Sequence, residues 1–356
     1  MPERIRAAKL YTFSAARAIM PARRRRDKQM PSEGRIYLGV DVGGTKVAAG
    51  LVDARGKILC KTRVPMSSNG SETEGLASVE KAIEAALKMK PRLQNSVAAI
   101  GISSPGPLDP RAGIIINPPN LPCWRNLHIT KKLKTWRKLP IRLDNDANAA
   151  GLAEALWGAG KGYDSVFYAT LGTGIGTGVI FGGRIYHGRT GCAAEGGHVS
   201  IDFHGPKCAC GKLGCIEALA AGPAVAKRAR EKLANGGAAA ERLLTRANGK
   251  AENVTAEVVA EAWRAGDALA ASILQQTADL LAIWLGNIID LLEPDVIIFG
   301  GGMGALMSEW FEHIRKRLPD WSINSRCAEI PMLRAHYGED SGIAGAAALC
   351  IPKRPN

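Results

Sequence analysis

Three stretches of the chain combine residue types that could do chemistry. The first is Asp144-Asn145-Asp146, followed by Ala147-Asn148, where an apolar run gives way to a helical pattern. A carboxylate held there, Asp146 above all, could accept the proton of an attacking hydroxyl. The same residues could instead cap the helix, since Asn and Asp accept bonds from the free N–H groups of a first turn. The second stretch is GCAAEGGHVSIDFHGPKCACGKLGCIE (191–217). Cys208, Cys210 and Cys215 offer three soft ligands on a short knuckle, and Gly211 and Gly214 permit its turns. One histidine would complete a tetrahedral Cys₃His zinc site. His198 and His204 are both within range, and spacing does not choose between them. Four protein ligands would close the shell, which makes such a zinc structural.

The third set consists of glycine turns that follow strand-like runs: Gly43-Gly44-Thr45, Gly172-Thr173-Gly174 and Gly300-Gly301-Gly302. Glycine lets backbone N–H groups approach phosphate oxygens, and a threonine hydroxyl adds a donor. None of the three ends in the Lys-Ser/Thr of a P-loop or has the spacing of a dinucleotide fingerprint. One such turn by itself reads as a tight hairpin. Three of them, two in matched settings, point to nucleotide phosphate.

The elements that must position these groups follow from periodicity. RIYLGVDVGGTKVAAGLVD (35–53) reads as strand, turn and strand, and SVFYATLGTGIGTGVIFGGRIY (165–186) repeats that logic. Leu76, Val79, Ile83 and Leu87 mark one stripe of an amphipathic helix over residues 72–90. VAAIGISS (97–104) and Ile141–Leu143 are short strands, and a helix begins within residues 144–148. The Pro/Gly/Asn-rich segment 105–124 is too long for a simple connection and is expected to bind something. Residues 218–292 read as Ala-rich helix throughout, and PDVIIFGGGMGAL (294–306) as a buried strand running into a helix start. Alternating strands and helices with two repeated hairpins argue for a duplicated α/β architecture.

Composition bounds the function. With 46% hydrophobic and 22% charged residues, the 356-residue chain is expected to be soluble and globular, with about two domains. Disorder throughout and a disulfide mini-scaffold are excluded. No run of about 18 apolar residues is present, so no membrane span is expected; the most apolar segment, 278–292, is interrupted by Asp279, Asn287 and Asp290. Residues 1–35 carry ten Lys or Arg against three Asp or Glu, half of the net charge of +14. The remainder is mildly basic, which suits anionic nucleotides and gives no specific nucleic-acid surface. The leader, 1–34, lacks the apolar stretch of a secretory signal; it reads as a disordered tail or an extended start, with Met20 or Met30 as initiator. Cys60, Cys123, Cys192, Cys327 and Cys350 are scattered and read as small packed hydrophobes, so a reducing, cytoplasmic compartment is expected.

Together, the glycine turns, the Asn-Asp-Ala-Asn run and the cysteine cluster resemble the sugar-kinase/actin/heat-shock-ATPase superfamily. Within it, roughly residues 36–350 are similar to the ROK family (repressors, open reading frames, kinases). The resemblance implies a two-lobed, ribonuclease-H-like (actin-like ATPase) α/β fold with duplicated domains and a central cleft. It implies that Gly43, Gly44, Thr45 and Lys46 hold ATP phosphates, that Asp41 helps place Mg²⁺, that Gly172, Thr173 and Gly174 contact phosphates, and that Gly301 and Gly302 flank adenine. Asp146 becomes the catalytic base. Asn145, Glu195, His198 and Glu217 become sugar ligands, with Pro105, Gly106 and Asn120 lining the site. His198 is then also the zinc ligand beside Cys208, Cys210 and Cys215. One departure is Gly196, where the family commonly has an aliphatic residue between Glu and Gly-His.

What the resemblance implies is an ATP-dependent hexose kinase acting on the 6-hydroxyl of glucose, because PNLPCWRNL (119–127) and GCIEALAAGPA (214–224) look most like glucokinase-type members. Kinases of N-acetylmannosamine, N-acetylglucosamine or another hexose, and a sugar-responsive repressor, are the alternatives. A repressor's helix-turn-helix module is not patterned in the residues ahead of Asp41. The expected lobes are 35–143 joined by a C-terminal helix at about 341–352, and 144–340 with the zinc loop. A homodimer or homotetramer is implied by analogy.

Overall fold

Alternating apolar residues in 36–65 fold into three antiparallel strands, β1 (Ile36–Val42), β2 (Lys46–Asp53) and β3 (Ile58–Pro65). The computed structural model describes residues 34–352 apart from 235 and 237, and the expected leader therefore lies almost wholly outside the described residues. Helix α1 (Glu72–Met89) starts at a capping box, in which Ser71 Oγ accepts from the Glu74 N–H and Glu74 Oε2 accepts from the Ser71 N–H. Its buried stripe Leu76, Val79, Ile83 and Leu87 covers one face of the sheet, against Leu38, Val40 and Leu51. Parallel strands β4 (Val97–Ser104) and β7 (Ile141–Asn145) complete the order β3-β2-β1-β4-β7. Between them the segment 105–124 is not featureless. It holds a small hairpin of β5 (Leu108–Asp109) and β6 (Ile114–Ile115), and it is anchored by fully buried Leu121 and Trp124; α2 (Ile129–Arg137) follows.

The chain then repeats itself. Helix α3 (Asp146–Leu156) leads to β8 (Ser165–Leu171), β9 (Ile175–Phe181) and β10 (Arg184–Ile185), and later to β11 (Val296–Gly300) and β12 (Met332–Arg334). Their order, β10-β9-β8-β11-β12, is that of the first sheet strand for strand. The Ala-rich middle is five helices with breaks, α4 (Ile216–Ala220), α5 (Gly222–Leu233), α6 (Ala238–Arg246), α7 (Ala256–Arg264) and α8 (Ala268–Leu292). Two of the breaks fall at Asn248-Gly249 and at Gly266, all with positive φ, so the segment is not helical throughout. By length and composition α8 could cross a bilayer, and half of its most apolar stretch is buried. Ile273, Leu281, Trp284, Leu285 and Ile289 spend that apolarity in the core of the second half. Helices α9 (Gly301–Met307) and α10 (Phe311–Arg317) precede the last helix, α11 (Ser341–Ala348).

The two halves exchange their final helices. Helix α3 follows the first sheet but lies on β8 and β9, whereas α11 follows the second sheet but lies on β1, β2 and β4; the two helices also pack on each other. Glycines make this close packing possible. Gly50, Gly39 and Gly101 are register partners across β2, β1 and β4. A Cβ on Gly39 or Gly101 would run into the carbonyls of Ile343 or Ala346 on α11. On the other sheet Gly176 and Gly178 clear the way for Ala147 and Asn148 of α3. Buried Glu154 of α3 joins the exchange by accepting the N–H groups of Ala159 (2.8 Å) and Tyr337 (3.0 Å).

Candidate active site

The register of the first sheet aligns Arg63, Ala48, Asp41, Ser103 and Asp144, one from each strand, in a single row. Directly paired residues share a face, and this is the face that α11 covers. Ser103 Oγ donates to Asp41 Oδ1 at 2.9 Å, and Gly342 of α11 is a glycine because a Cβ there would overlap the Asp41 carboxyl. Burial raises the pKa of Asp41, while the Ser103 bond and the charges of Lys46 and Arg63 lower it. Small Ala48 is what lies between Arg63 and Asp41 in the row.

At the edge of this row β7 turns into α3. Asn145 is the N-cap, and its Oδ1 accepts from Ala147 (2.9 Å) and Asn148 (3.3 Å) N–H groups. Capping and ligand binding are thus divided within one side chain, since only the amide NH₂ remains to be offered outward. Asp146 is the first helical residue, and its carboxyl is open to solvent. It nevertheless stands in a recess crowded by protein, which pushes its pKa up to about 6. The Ala147 N–H opposes that rise, and the negative charges of Asp41 and Glu195 add to it. The charges of two carboxylates from other elements, Asp41 of β1 and Glu195, are therefore felt at Asp146. Like charges brought together in this way mark a place where a cation or polar ligand belongs.

Glu195 hangs from the loop that follows β10. Thr177 of β9 pins this loop, its hydroxyl accepting the Gly196 N–H at 2.7 Å and donating to the Ala194 carbonyl. Trp284 Nε1 donates to the Gly196 carbonyl at 3.0 Å. A Cβ on Gly196 would stand 2.8 Å from Thr177 Oγ1, and one on Gly197 would strike the Ile175 carbonyl. The departure at Gly196 thus has a local cause: the Thr177 hydroxyl occupies the space that a side chain would need.

His198, Cys208, Cys210 and Cys215 bring their ligand atoms within 4.8 Å of one another. Cys208 Sγ lies 3.6 Å from His198 Nδ1, and Cys210 Sγ lies 3.6 Å from Cys215 Sγ. These separations suit a tetrahedral ion with bonds of about 2.0–2.3 Å. His204 is outside the group, exposed and stacked beside Phe203. Burial raises the thiols of Cys208 and Cys215, whereas the Lys212 N–H lowers Cys210. Glu217 closes the knuckle: Oε1 is 3.9 Å from His198 Nδ1, and Oε2 accepts from the Ile175 N–H at 2.8 Å. Gly174 carries no Cβ where that carboxylate sits, 2.5 Å away. Knuckle and second glycine turn are therefore one unit.

The remaining expected residues are distributed around this centre. Gly44 abuts the carbonyl of Asn120, which ties Asn120 to the first turn, where Gly43 is partly open and Thr45 and Lys46 are exposed. Gly106, next to Pro105, lies with its missing Cβ 3.7 Å from Asn145 Nδ2. Gly172 and Gly302 face open space, Thr173 is exposed, and Gly301, at φ +77°, rests against the Leu171 carbonyl. Cys192 is exposed, so it does not belong with the packed cysteines. Sequence reasoning missed Arg63, Ser103 and Thr177. Each works through cross-strand or loop contacts that no short motif records.

The chain matches the family model described as the ROK family over residues 37–353. It is 35% identical over 313 residues to a glucokinase of Thermotoga maritima, covering 88% of this chain and 96% of that one. It is 32% identical to an N-acetylmannosamine kinase of Shigella boydii, with 88% and 97% covered. Among solved structures it resembles a ROK family glucokinase from Streptomyces griseus in complex with glucose and AMPPNP, with a TM-score of 0.75, 33% identity and coverage of 88% and 98%. The two sheets with exchanged helices are accordingly the actin-like ATPase fold.

Proposed function

This chain belongs to the ROK family, and from that premise we propose that it is an ATP-dependent hexose kinase that transfers the γ-phosphate to the 6-hydroxyl of glucose. The observation that carries the reading is the place of Asp146 at the start of α3, directly after the strand end whose Asp144 shares a row with Ser103 and Asp41. The lobes are taken as 35–143 with the C-terminal helix, and 144–340, with both substrates in the cleft between them. Asp146 accepts the proton of the 6-hydroxyl as its oxygen attacks the γ-phosphorus and ADP leaves. A base of pKa about 6 is ionised at neutral pH and still takes a proton late in a loose transition state.

The other residues divide the binding. The Asn145 amide, Glu195, Glu217 and the Nε2 edge of His198 address sugar hydroxyls, with Pro105, Gly106 and Asn120 lining the pocket. Gly43, Gly44, Thr45 and Lys46, with Gly172, Thr173 and Gly174, hold the phosphates, and Gly301 and Gly302 flank adenine. Asp41 would help hold Mg²⁺, which neutralises phosphate charge when bound. His198, Cys208, Cys210 and Cys215 would hold a structural Zn²⁺, whose closed shell leaves it to fix the loop.

The reading is tested by incubating glucose, N-acetylmannosamine and N-acetylglucosamine separately with ATP and Mg²⁺. Glucose 6-phosphate should form with the highest kcat/KM. Asp146→Asn should lose roughly 10³-fold in kcat while keeping the affinity for glucose. Wild-type activity in that variant removes the base assignment, and a higher kcat/KM for an amino sugar moves the substrate.

A further inference from the structure

His187 begins the loop that ends in Glu195, and no part of the site described so far uses it. Its Nε2 lies 2.6 Å from Asp144 Oδ2. The Asp144 side chain is only 5% exposed and the His187 ring 26%, so this is a recessed pair and not a surface contact. Asp144 ends the row that contains Asp41 and Ser103. Its other oxygen accepts from the Asn145 N–H (2.9 Å) and from Asn148 Nδ2 (3.2 Å). One buried carboxylate therefore fixes the backbone and cap that present Asn145 and Asp146, and reaches across to the second half of the molecule.

The loop is built around the same histidine. Gly191 and Ala193 donate their N–H groups to the His187 carbonyl, at 3.1 and 3.3 Å. A second grip comes from the β5–β6 hairpin, where the Arg111 guanidinium donates to the carbonyls of Gly188 (3.0 Å) and Arg189 (3.1 Å). A buried carboxylate deprived of its partner is strongly disfavoured, so the Asp144 end cannot let go of His187 without cost.

We propose that His187 is a positioning residue for the sugar acceptor: through Asp144 it holds the loop that presents Glu195 in register with the strand end that presents Asn145 and Asp146. The inference rests on the hexose-kinase reading of the site, and its test separates the two. His187→Ala should raise the KM for the hexose by about tenfold or more and leave the KM for ATP within twofold. His187→Arg, which puts a nitrogen donor back within reach of Asp144, should recover most of that loss. Without any substrate, tryptic cleavage after Arg189 should be faster in His187→Ala than in wild type. Asp144→Asn should give the same pattern, and joining it to His187→Ala should add less than about twofold. A hexose KM within twofold of wild type in both single variants, or unchanged protection of Arg189, overturns the proposal. If the wild-type protein phosphorylates no hexose, the functional reading fails instead, and the proteolysis arm alone decides whether the pair holds the loop.

Discussion

The two sheets are the same device built twice, and only the first carries carboxylates in its strands. In each, three antiparallel strands and two parallel strands take the same order, and the helix leaving one sheet lies on the other. Asp41 stands one residue before the end of β1, in register with Ala48 and Ser103; Thr170 stands one residue before the end of β8, in register with Gly176 and Gly300. Where the first half has a buried acid bonded to a serine, the second has a neutral threonine between two glycines. The packing logic survives in both copies, since glycines admit the crossing helix in each. On the proposed reading, the acid of the first sheet serves the reaction beside Asp146, while the second sheet, without a carboxylate in its strands, grips a ligand with the backbone groups of its turns.

The comparison can be broken most sharply at its equivalent positions. Asp41→Asn should lower kcat by roughly 10²–10³-fold, whereas Thr170→Val should cost less than about tenfold, both read by steady-state kinetics. Comparable losses would mean that chemistry is shared between the halves. Next in size are the glycines. Gly101→Ala would drive a methyl into the α11 backbone and should destabilise by about 3 kcal/mol or more in urea unfolding. Gly176→Ala meets two methyls, of Ala147 at 2.9 Å and of Thr170 at 3.2 Å, and should cost roughly 1–2 kcal/mol. Equal costs would show that the second sheet is as tightly closed as the first.

Zinc removal sharpens the comparison on the second half alone. Chelation, verified by elemental analysis, should accelerate hydrogen exchange across 195–217 and raise the sugar KM severalfold while sparing the first sheet. Uniform exchange across both halves would refute a local role.

The pH dependence is smaller. Asp146 must be ionised to act as base, so kcat/KM should fall as the pH drops below about 6. For stability the sign is reversed. The folded-state pKa of about 6 exceeds the ordinary 3.8, so the fold binds the proton more tightly than the unfolded chain, and stability declines as pH rises between these values. Asp146→Asn should therefore raise Tm at pH 8 and leave it nearly unchanged near pH 4. The smallest effect is expected for Thr177→Val, about 1 kcal/mol, through loss of the bonds to Gly196 and Ala194.

Much of the site could be read from residue types, because its densest parts are local. Asp146 follows a strand directly, and three of the four knuckle ligands fall within eight residues. Local spacing also left real ambiguities. Spacing does not choose between His198 and His204, and the bridge between Ser200 and Cys215 is part of what folds His198 back onto the cysteines. Asn145 admitted capping or ligand binding, and the cap turned out to use its oxygen and spare its amide.

The sequence by itself determined the alternation of strands and helices, the three glycine turns, the soft-ligand knuckle and the carboxylate at a helix start. Each of these depends on neighbours a few residues away. The tertiary structure alone decided that Arg63, Asp41, Ser103 and Asp144 share one row, that Gly39 and Gly101 are glycines on account of a helix far along the chain, and that His187 meets Asp144. The reason is physical. Strand register and helix docking are set by the burial of whole faces, and a one-residue slip would turn every member of that row toward the opposite side.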